Sequence, residues 1–125
     1  MAAPTIAAKG INREVHCATA LFTWDATAAG TYNSGVVVPA GAQVISVSLK
    51  GGASVPTTGT SAQVAVGGVA LSTAIAFAKY DAIGEQYTEA AALFTDATSD
   101  NGVIGLITLG THDAGETIVS VCYIV

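Results

Sequence analysis

Cysteine and histidine have the widest chemical range of the residue types in this chain, and one of each stands together at His16–Cys17. A cysteine beside a histidine base is the arrangement of an activated thiol nucleophile. Both residues lie in a run that predicts a β-strand, where neighbouring side chains point to opposite faces of the sheet, so this pair is badly placed for that chemistry. The second cysteine, Cys122, lies near the other end of the sequence. Two cysteines so far apart are too few for a disulfide framework or a zinc site, and we expect two free thiols in a reducing cytosol.

The second histidine is followed by a carboxylate, at His112–Asp113, within the glycine-bracketed stretch 110–115. A histidine–aspartate pair can activate a serine or cysteine, but no nucleophile motif such as G-x-S-x-G accompanies it. The stretch is predicted to be a solvated turn at the tip of a C-terminal β-hairpin formed by strands 103–109 and 116–125. We therefore predict no catalytic residue and no enzymatic activity.

Acidic residues cluster in two places where a cation could bind. The stretch 96–102 resembles a calcium-binding loop, but its glycine comes one position late and Ile107 stands where the bidentate glutamate belongs. Asp81, Glu85 and Glu89 recur every four residues and would line one helical face, where like charges repel unless a cation lies between them. We interpret the first as a turn and the second as a solvated acidic surface, and we predict no metal and no other cofactor.

The elements that position these residues are predicted to be β-strands, because glycine and threonine punctuate short Val- and Ile-rich runs and no long helical stripe occurs. In the clearest strand, 43–50, we expect Ile45, Val47 and Leu49 on one buried face. It follows a turn in which Pro39 takes the second position and Gly41 the fourth. Further strands are predicted at 13–24, 35–38, 62–66, 103–109 and 116–125. The first of these has apolar residues on both faces, which a β-bulge or a change of buried face would explain.

Short strands separated by frequent turns predict an all-β protein, an antiparallel two-sheet sandwich, with a jelly roll favoured over an immunoglobulin-like arrangement. The strand order stays open at this stage. Segment 71–95 fits either a helical face or an alternating strand, and β or irregular structure is favoured. Residues 1–12 are predicted to form an N-terminal arm that packs on a neighbouring subunit, and residues 13–125 a single domain.

The composition narrows the range of partners. Of the 125 residues 51% are apolar and only 10% charged, with a net charge of −5 and a mean hydropathy of +0.58. The basic residues are scattered, so no basic stripe can neutralise phosphates and we predict no direct contact with nucleic acid. The chain start lacks the pattern of a secretory signal, and no apolar run is long enough to span a bilayer. We expect synthesis in the cytoplasm and no association with a membrane.

The last predicted strand, 116–125, is apolar on both alternating faces, whereas an antiparallel sheet usually leaves one face wet. Either the strand is central within its own domain, or another subunit covers its second face. With so few charges, subunit contact is the economical explanation, and we predict a homo-oligomer, most simply a trimer. Beside strand 103–109, the residues assigned to interfaces come from the arm, the 96–102 loop and the last strand: Ile6, Ile11, Asp96, Asp100, Asn101, Ile118, Val119, Val121, Tyr123 and Val125.

Two stretches resemble small structural proteins of tailed-bacteriophage virions. In the first, Val36-Val37-Val38-Pro39-Ala40-Gly41-Ala42-Gln43-Val44-Ile45-Ser46-Val47, a strand enters a Pro-Ala-Gly corner and leaves as an alternating strand. The second, 106–124, is similar to a closing segment that finishes on a Val-x-Val-x-Tyr strand. The resemblance implies a β-sandwich that coats a capsid, commonly as a trimeric decoration or cement protein, and it transfers no enzymatic residue.

These observations predict a non-catalytic virion protein that binds the major capsid protein at the capsid surface and stabilises the shell. The alternative is a glycan- or ligand-binding β-sandwich module of a phage fibre or tail. Such a module would need an exposed aromatic platform, for which one Trp and four Tyr provide little material.

Overall fold

The computed structural model describes residues 14–92 and 102–124, which form nine β-strands in two antiparallel sheets packed face to face. The predicted all-β sandwich is confirmed. The strands are β1 (Val15–Trp24), β2 (Gly30–Val37), β3 (Gln43–Gly51), β4 (Ser61–Val66), β5 (Val69–Ala70), β6 (Ile75–Ala76), β7 (Gln86–Ala90), β8 (Val103–Thr108) and β9 (Gly115–Ile124), with a single 3-10 turn at Phe77–Lys79 between β6 and β7. The predicted arm at 1–12 and most of the 96–102 loop lie outside the described residues.

The chain passes back and forth between the sheets. The first sheet has the strand order β1-β9-β3-β7, and the second has β2-β8-β4-β5, with β6 pairing with the start of β4. Because β8 and β9 belong to different sheets, the predicted C-terminal hairpin is wrong. Each strand instead turns an apolar face towards the other sheet, so the loop 109–114 crosses between the layers.

The last strand, β9, is central in the first sheet. It pairs with β1 over ten residue pairs on one side and with β3 on the other. Its inward side chains Thr117, Val119 and Val121 are completely buried, while Ile118 and Ile124 on the outer face are partly buried. Of the two explanations for its apolar character, the central position is observed, and the outer face is still open to a partner.

The apolar residues on both faces of β1 do not arise from a bulge. The register with β9 is unbroken from Val15↔Ile124 to Trp24↔Gly115, so the predicted irregularity is absent from β1. Ala20 and Trp24 point into the core, whereas Val15 and Leu21 are 59% and 58% exposed. Hydrophobic side chains therefore stand on the outer surface of this strand.

A bulge is present instead in β3, where the register with β9 shifts between Val44 and Ser46. The extra residue changes which positions face inward. Val44, Val47 and Leu49 are buried, and Ile45 is 37% exposed, so the predicted burial of Ile45 is wrong. The preceding corner also lies one residue later than predicted. The Ala42 amide donates to the Pro39 carbonyl at 3.2 Å, and Gly41, with a φ of +79°, takes the third position of the turn, where positive φ requires glycine.

The two cysteines are bonded to each other. Cys17 on β1 lies directly opposite Cys122 on β9, with a Cα–Cα distance of 4.0 Å and a disulfide between them. The prediction of free thiols is wrong for this structure. The prediction relied on the distance between the two cysteines in the sequence. The strand order nevertheless places the first and last strands side by side.

Segment 71–92 has no α-helix, which confirms the preference for β or irregular structure over the part of 71–95 that is described. It contributes two short strands and the 3-10 turn, and Leu71 and Tyr80 enter the core. The hairpin before it turns through Gly67 and Gly68, both with positive φ, as a two-residue type I′ loop requires. Most of the core comes from the inner faces of the two sheets and includes Val47, Leu49, Val64, Val66, Ile104, Leu106, Val119 and Val121.

Candidate interface surfaces and a buried polar cluster

The outer face of the β1–β9 pair carries a charge-free row of side chains, which we call the outer stripe. It consists of Val15 opposite Ile124, the Cys17–Cys122 disulfide, and Leu21 opposite Ile118, with the hydroxyl pair Thr19–Ser120 at 3.4 Å between them. Because Val15 and Leu21 are more than half exposed, no described element covers the β1 side of this row. The outer stripe is therefore apolar surface available for a partner.

The predicted interface residues on β9 differ in where their side chains lie. Val119 and Val121 are completely buried and fill the core, which removes them from any interface. Ile118 belongs to the outer stripe. Tyr123 packs against the core and stacks on His16, with ring centroids 5.7 Å apart. The remaining predicted interface residues, Ile6, Ile11, Asp96, Asp100, Asn101 and Val125, lie outside the described residues.

A second feature, unforeseen in the sequence, is a group of aromatic rings at the opposite end of β1, which we call the aromatic cluster: Trp24, Phe77, Tyr80 and His112. The His112 ring is fully buried and stacks on Trp24, with centroids 4.1 Å apart and planes 10° from parallel. Its Nε2 is hydrogen-bonded to the Tyr80 hydroxyl at 2.8 Å, and Phe77 packs edge-on against both rings. The prediction that His112 lies in a solvated turn is wrong.

Backbone contacts explain why this loop turns its histidine inward. His112 and Thr27 exchange both backbone hydrogen bonds, at 2.8 and 3.0 Å. Asp113 then accepts hydrogen bonds from the Thr57 hydroxyl and from the Thr58 amide, the latter at 3.0 Å. Gly59 completes the packing, because a Cβ there would lie 2.7 Å from atoms of His112 and Phe77. The loop is thus tied to its neighbours on both sides of the histidine.

The burial of the cluster determines its electrostatics. Desolvation lowers the pKa of His112, although the Gly110 carbonyl and the Asp113 carboxylate oppose part of this shift, and Nδ1 has no partner in hydrogen-bond geometry among the described residues. Desolvation also raises the pKa of Tyr80. The two hydrogen bonds from Thr57 and Thr58 lower the pKa of Asp113. With His112 and Tyr80 both 0% exposed, no substrate can reach this pair, so the cluster serves packing rather than acid–base chemistry.

The remaining acidic side chain of interest borders a shallow groove of about 340 Å³ between the segment 71–73 and β7. Glu89 accepts hydrogen bonds from the Thr73 amide at 2.6 Å and from the Thr73 hydroxyl at 2.9 Å. The Tyr87 hydroxyl donates to the same carboxylate at 3.2 Å, and this bond raises the pKa of Tyr87. Hydrogen-bond donors from the same chain therefore occupy the Glu89 carboxylate. These bonds connect segment 71–73 to β7.

The predicted helical row of Asp81, Glu85 and Glu89 does not form. Asp81 and Glu85 are exposed in the turn before β7, and Glu89 lies on the strand itself. Over residues 14–92 and 102–124, no group of three or more His, Cys, Asp or Glu side chains is arranged to hold a metal ion. Over the same ranges, no helix is long and apolar enough to cross a membrane.

Comparisons with known proteins show a likeness to a solved structure. No protein-family model matches the chain, and no curated protein matches it. Among solved structures, it is similar to a chain in the acidic stable capsid structure of Helicobacter pylori bacteriophage KHP30. The identity is 26%, the TM-score is 0.58, and the match covers 89% of this chain and 87% of that chain. The likeness thus extends over nearly the whole of both chains.

Proposed function

We propose that this protein is a structural component of a bacteriophage virion. The observation that carries the proposal is the likeness, over 89% of this chain, to a chain of a phage capsid structure, at a TM-score of 0.58 and 26% identity. The residues agree with a role that depends on contact area. In the described chain, the histidine–tyrosine pair is buried and the Glu89 carboxylate is occupied by its own neighbours. We therefore assign the protein no catalytic role.

The finer proposal is a decoration or cement protein that binds the major capsid protein on the outer surface of the shell. Low charge supports it, because a protein with 10% charged residues has a surface suited to extensive contact with other proteins. The net charge of −5 would also keep the protein away from the packaged genome. Many copies on a closed shell would reinforce one another, since each bound copy ties neighbours that would otherwise separate independently.

For contacts between copies we propose the outer stripe, with Leu21 and Ile118 at one end of it, and a trimer as the assembly. The support is the exposure of Leu21, 58%, on a surface without charged side chains between Val15 and Leu21. Light scattering should give three times the 12.4 kDa chain mass for the isolated protein. A monomer at micromolar concentration contradicts the trimer.

We also propose that the sandwich is a jelly roll. Its support is the strand order: β1-β9-β3-β7 in one sheet and β2-β8-β4-β5 in the other. Successive strands from β1 to β4 alternate between the sheets, and β8 and β9 return between them, which is the pattern of two interlocked Greek keys.

The alternative, a ligand-binding module of a fibre or tail, has one feature in its favour, the groove beside Glu89. The aromatic residues weigh against it. Trp24 is 2% exposed and Tyr80 is buried, so neither offers a stacking platform to a sugar ring. We therefore prefer the capsid role.

The test is reconstitution on particles. Phage particles stripped of this protein should bind the purified protein, and heating should then release their DNA at a higher temperature than from stripped particles. The matched control is an unrelated acidic β-sandwich added at the same concentration. If the stripped particles neither bind the protein nor gain heat resistance, the capsid role is wrong and the ligand-binding alternative is preferred.

A further inference from the structure

We propose that the open edge of β1 accepts an extended strand from a subunit of the capsid shell, which becomes a fifth strand of the first sheet. This inference rests on the proposed function and names the way in which the protein would attach to the shell. Among residues 14–92 and 102–124, β1 pairs with β9 on one side and with no strand on the other. Such an edge presents unpaired backbone N–H and C=O groups, and strand addition to them is a common mode of protein recognition.

The spacing of β1 and β9 shows which backbone groups of β1 point to the open edge. Opposed residues in an antiparallel pair alternate between hydrogen-bonded pairs, with Cα atoms about 5.5 Å apart, and closer pairs without backbone hydrogen bonds, about 4.5 Å apart. The Cα atoms of Cys17 and Cys122 are 4.0 Å apart, so they form one of the closer pairs. The N–H and C=O groups of Cys17 therefore point away from β9. Because the register is unbroken, the same holds for the alternate residues Val15, Thr19, Leu21 and Thr23.

The inner side of the same edge is a part of the core that is not fully closed. β1 and β2 are edge strands of the two sheets, and they contact each other across the layers. Ala18 and Phe22 of β1 and Val36 of β2 pack against the core but are only partly buried. A fifth strand beside β1 would cover part of these side chains with its own inward residues. Burial of apolar surface would then add to the backbone hydrogen bonds.

The charges around β1 restrict the side chains that the added strand can carry. The strand itself contains no Asp, Glu, Lys or Arg, so a charge opposite its middle would lose water without gaining a counter-charge. Glu14 and Asp25 flank the strand at its two ends, and Glu116 lies opposite Thr23. The partner strand is therefore uncharged in its middle and apolar where it faces the core. Lysine or arginine beyond its ends would meet these carboxylates.

The other edges of the molecule indicate that the added strand comes from another protein rather than from a second copy. β7 has five residues and β5 has two, and the register of β2 shifts between Asn33 and Val37. None of these three described edges can form a ladder over the ten residues of β1. Two β1 edges could pair with each other, but this symmetric contact joins copies in twos, whereas the proposed assembly is a trimer. In a virion, a shell subunit is then the available partner.

Contacts between copies through the outer stripe leave the edge accessible. The side chains of the stripe project perpendicular to the sheet, and another sheet on that face would pack about 10 Å away. An added strand lies instead in the plane of the sheet, about 4.8 Å from β1. The stripe thus contributes side chains such as Leu21 and Ile118, and the edge contributes backbone groups. A trimer would offer one edge from each copy to the shell, which strengthens attachment of the whole assembly.

The first experiment removes one backbone donor at the edge without adding charge to the stripe. In Thr19→Pro, the ring replaces the N–H that points to the open edge, and an edge strand tolerates proline at such a position. In the matched control Thr19→Val, the side chain keeps its shape and the N–H remains. On stripped particles, Thr19→Pro should bind about tenfold more weakly than the wild type or worse, and Thr19→Val within about twofold of it. Light scattering of the free proteins should give the same mass for both variants.

Equal binding of Thr19→Pro and Thr19→Val to the particles overturns the inference, because the two variants differ in the edge N–H. Failure of the wild type to bind instead overturns the proposed function.

Hydrogen exchange measures the same contact without any substitution. In the free protein, the amides of Cys17, Thr19 and Leu21 should exchange quickly, and those of Ala18 and Ala20, which point to β9, should exchange slowly. On particles, exchange of the first three amides should slow by about tenfold or more. Unchanged exchange of these amides on particles that have bound the protein overturns the inference. Slow exchange already in the free protein would show that a second copy or the chain itself covers the edge, and it would overturn the shell as the occupant.

Discussion

The outer stripe and the aromatic cluster lie at two ends of the same strand, β1, and they stabilise the molecule in different ways. In the stripe, Cys17 is exposed and joined covalently to a strand with which β1 already forms a complete ladder. In the cluster, Trp24 is held by burial, ring stacking and its indole hydrogen bond to the Thr117 hydroxyl at 2.7 Å. The comparison indicates that buried packing stabilises the cluster, whereas the stripe is an exposed surface whose two strands are also joined by a covalent bond.

The largest effect is expected from emptying the cluster. Tyr80→Ala removes a fully buried ring and leaves His112 Nε2 without its partner, so the free energy of unfolding should fall by about 3–5 kcal/mol. Urea denaturation measures this loss. Tyr32→Ala is the control, because Tyr32 is only half-buried, with its hydroxyl bonded to the Ala28 carbonyl. An equal loss in both variants would contradict a dominant role for the cluster.

The stripe should matter less. Replacing both cysteines, Cys17→Ser with Cys122→Ser, removes a covalent link between residues 105 positions apart in the sequence. The free energy of unfolding should fall by about 2–4 kcal/mol, and the circular-dichroism spectrum should remain that of a β protein. The wild type under reducing conditions is the matched comparison and should lose a similar amount. A double variant that is unfolded at 25 °C would reverse the ranking of the two regions.

A smaller effect tests how closely the cluster is packed. Gly59→Ala forces a methyl group to within 2.7 Å of the His112 and Phe77 rings, and overpacking of this kind costs about 1–3 kcal/mol. Gly35→Ala is the control, because nothing lies within 4 Å of its added Cβ. Thermal melting compares the two, and a Gly59 variant as stable as the Gly35 variant would show that the loop can move aside.

The smallest effect is a pH dependence that belongs to the cluster. Burial lowers the pKa of His112. Below about pH 6.5, His112 is therefore protonated in the unfolded chain while it stays neutral in the folded chain. Stability is therefore full above that pH and decreases as the pH falls towards the folded pKa, by at most about 1.4 kcal/mol per pH unit. Urea titrations at several pH values measure the slope. It should be reduced in His112→Gln, with His16→Gln, outside the cluster, as the comparison; an unchanged slope in His112→Gln would contradict the assignment.

Local patterns predicted the sandwich because alternation, glycine and proline act over a few residues. The strands β3, β4, β8 and β9 begin and end close to their predicted bounds for this reason. Long-range pairing has no such local signal. That Cys17 faces Cys122, and that β8 and β9 separate into different sheets, follows from strand order, which single-residue patterns do not encode.

The buried histidine shows the same limit at the level of one side chain. A His-Asp pair between glycines is typical of an exposed turn, and here Asp113 does bind to neighbouring loop residues as a turn residue would. His112 is drawn inward because Trp24 and Tyr80, distant in sequence, provide a stacking partner and a hydroxyl. A buried Trp or Tyr needs a hydrogen-bond partner for its polar atom, and this need was the signal available in the sequence. It does not identify which residue the partner is. For the interface, the parity of β9 could have separated Ile118 from Val119 and Val121, since only alternate residues face outward.

The position of β1 at the edge of its sheet has a consequence for handling the protein away from particles. Within residues 14–92 and 102–124, this ten-residue edge strand contains no lysine, proline or bulge and lacks the usual protection against pairing with another strand. Concentrated preparations should therefore form elongated aggregates through this edge. A lysine at Thr19, half-way along it, is the substitution that would keep the isolated protein in solution.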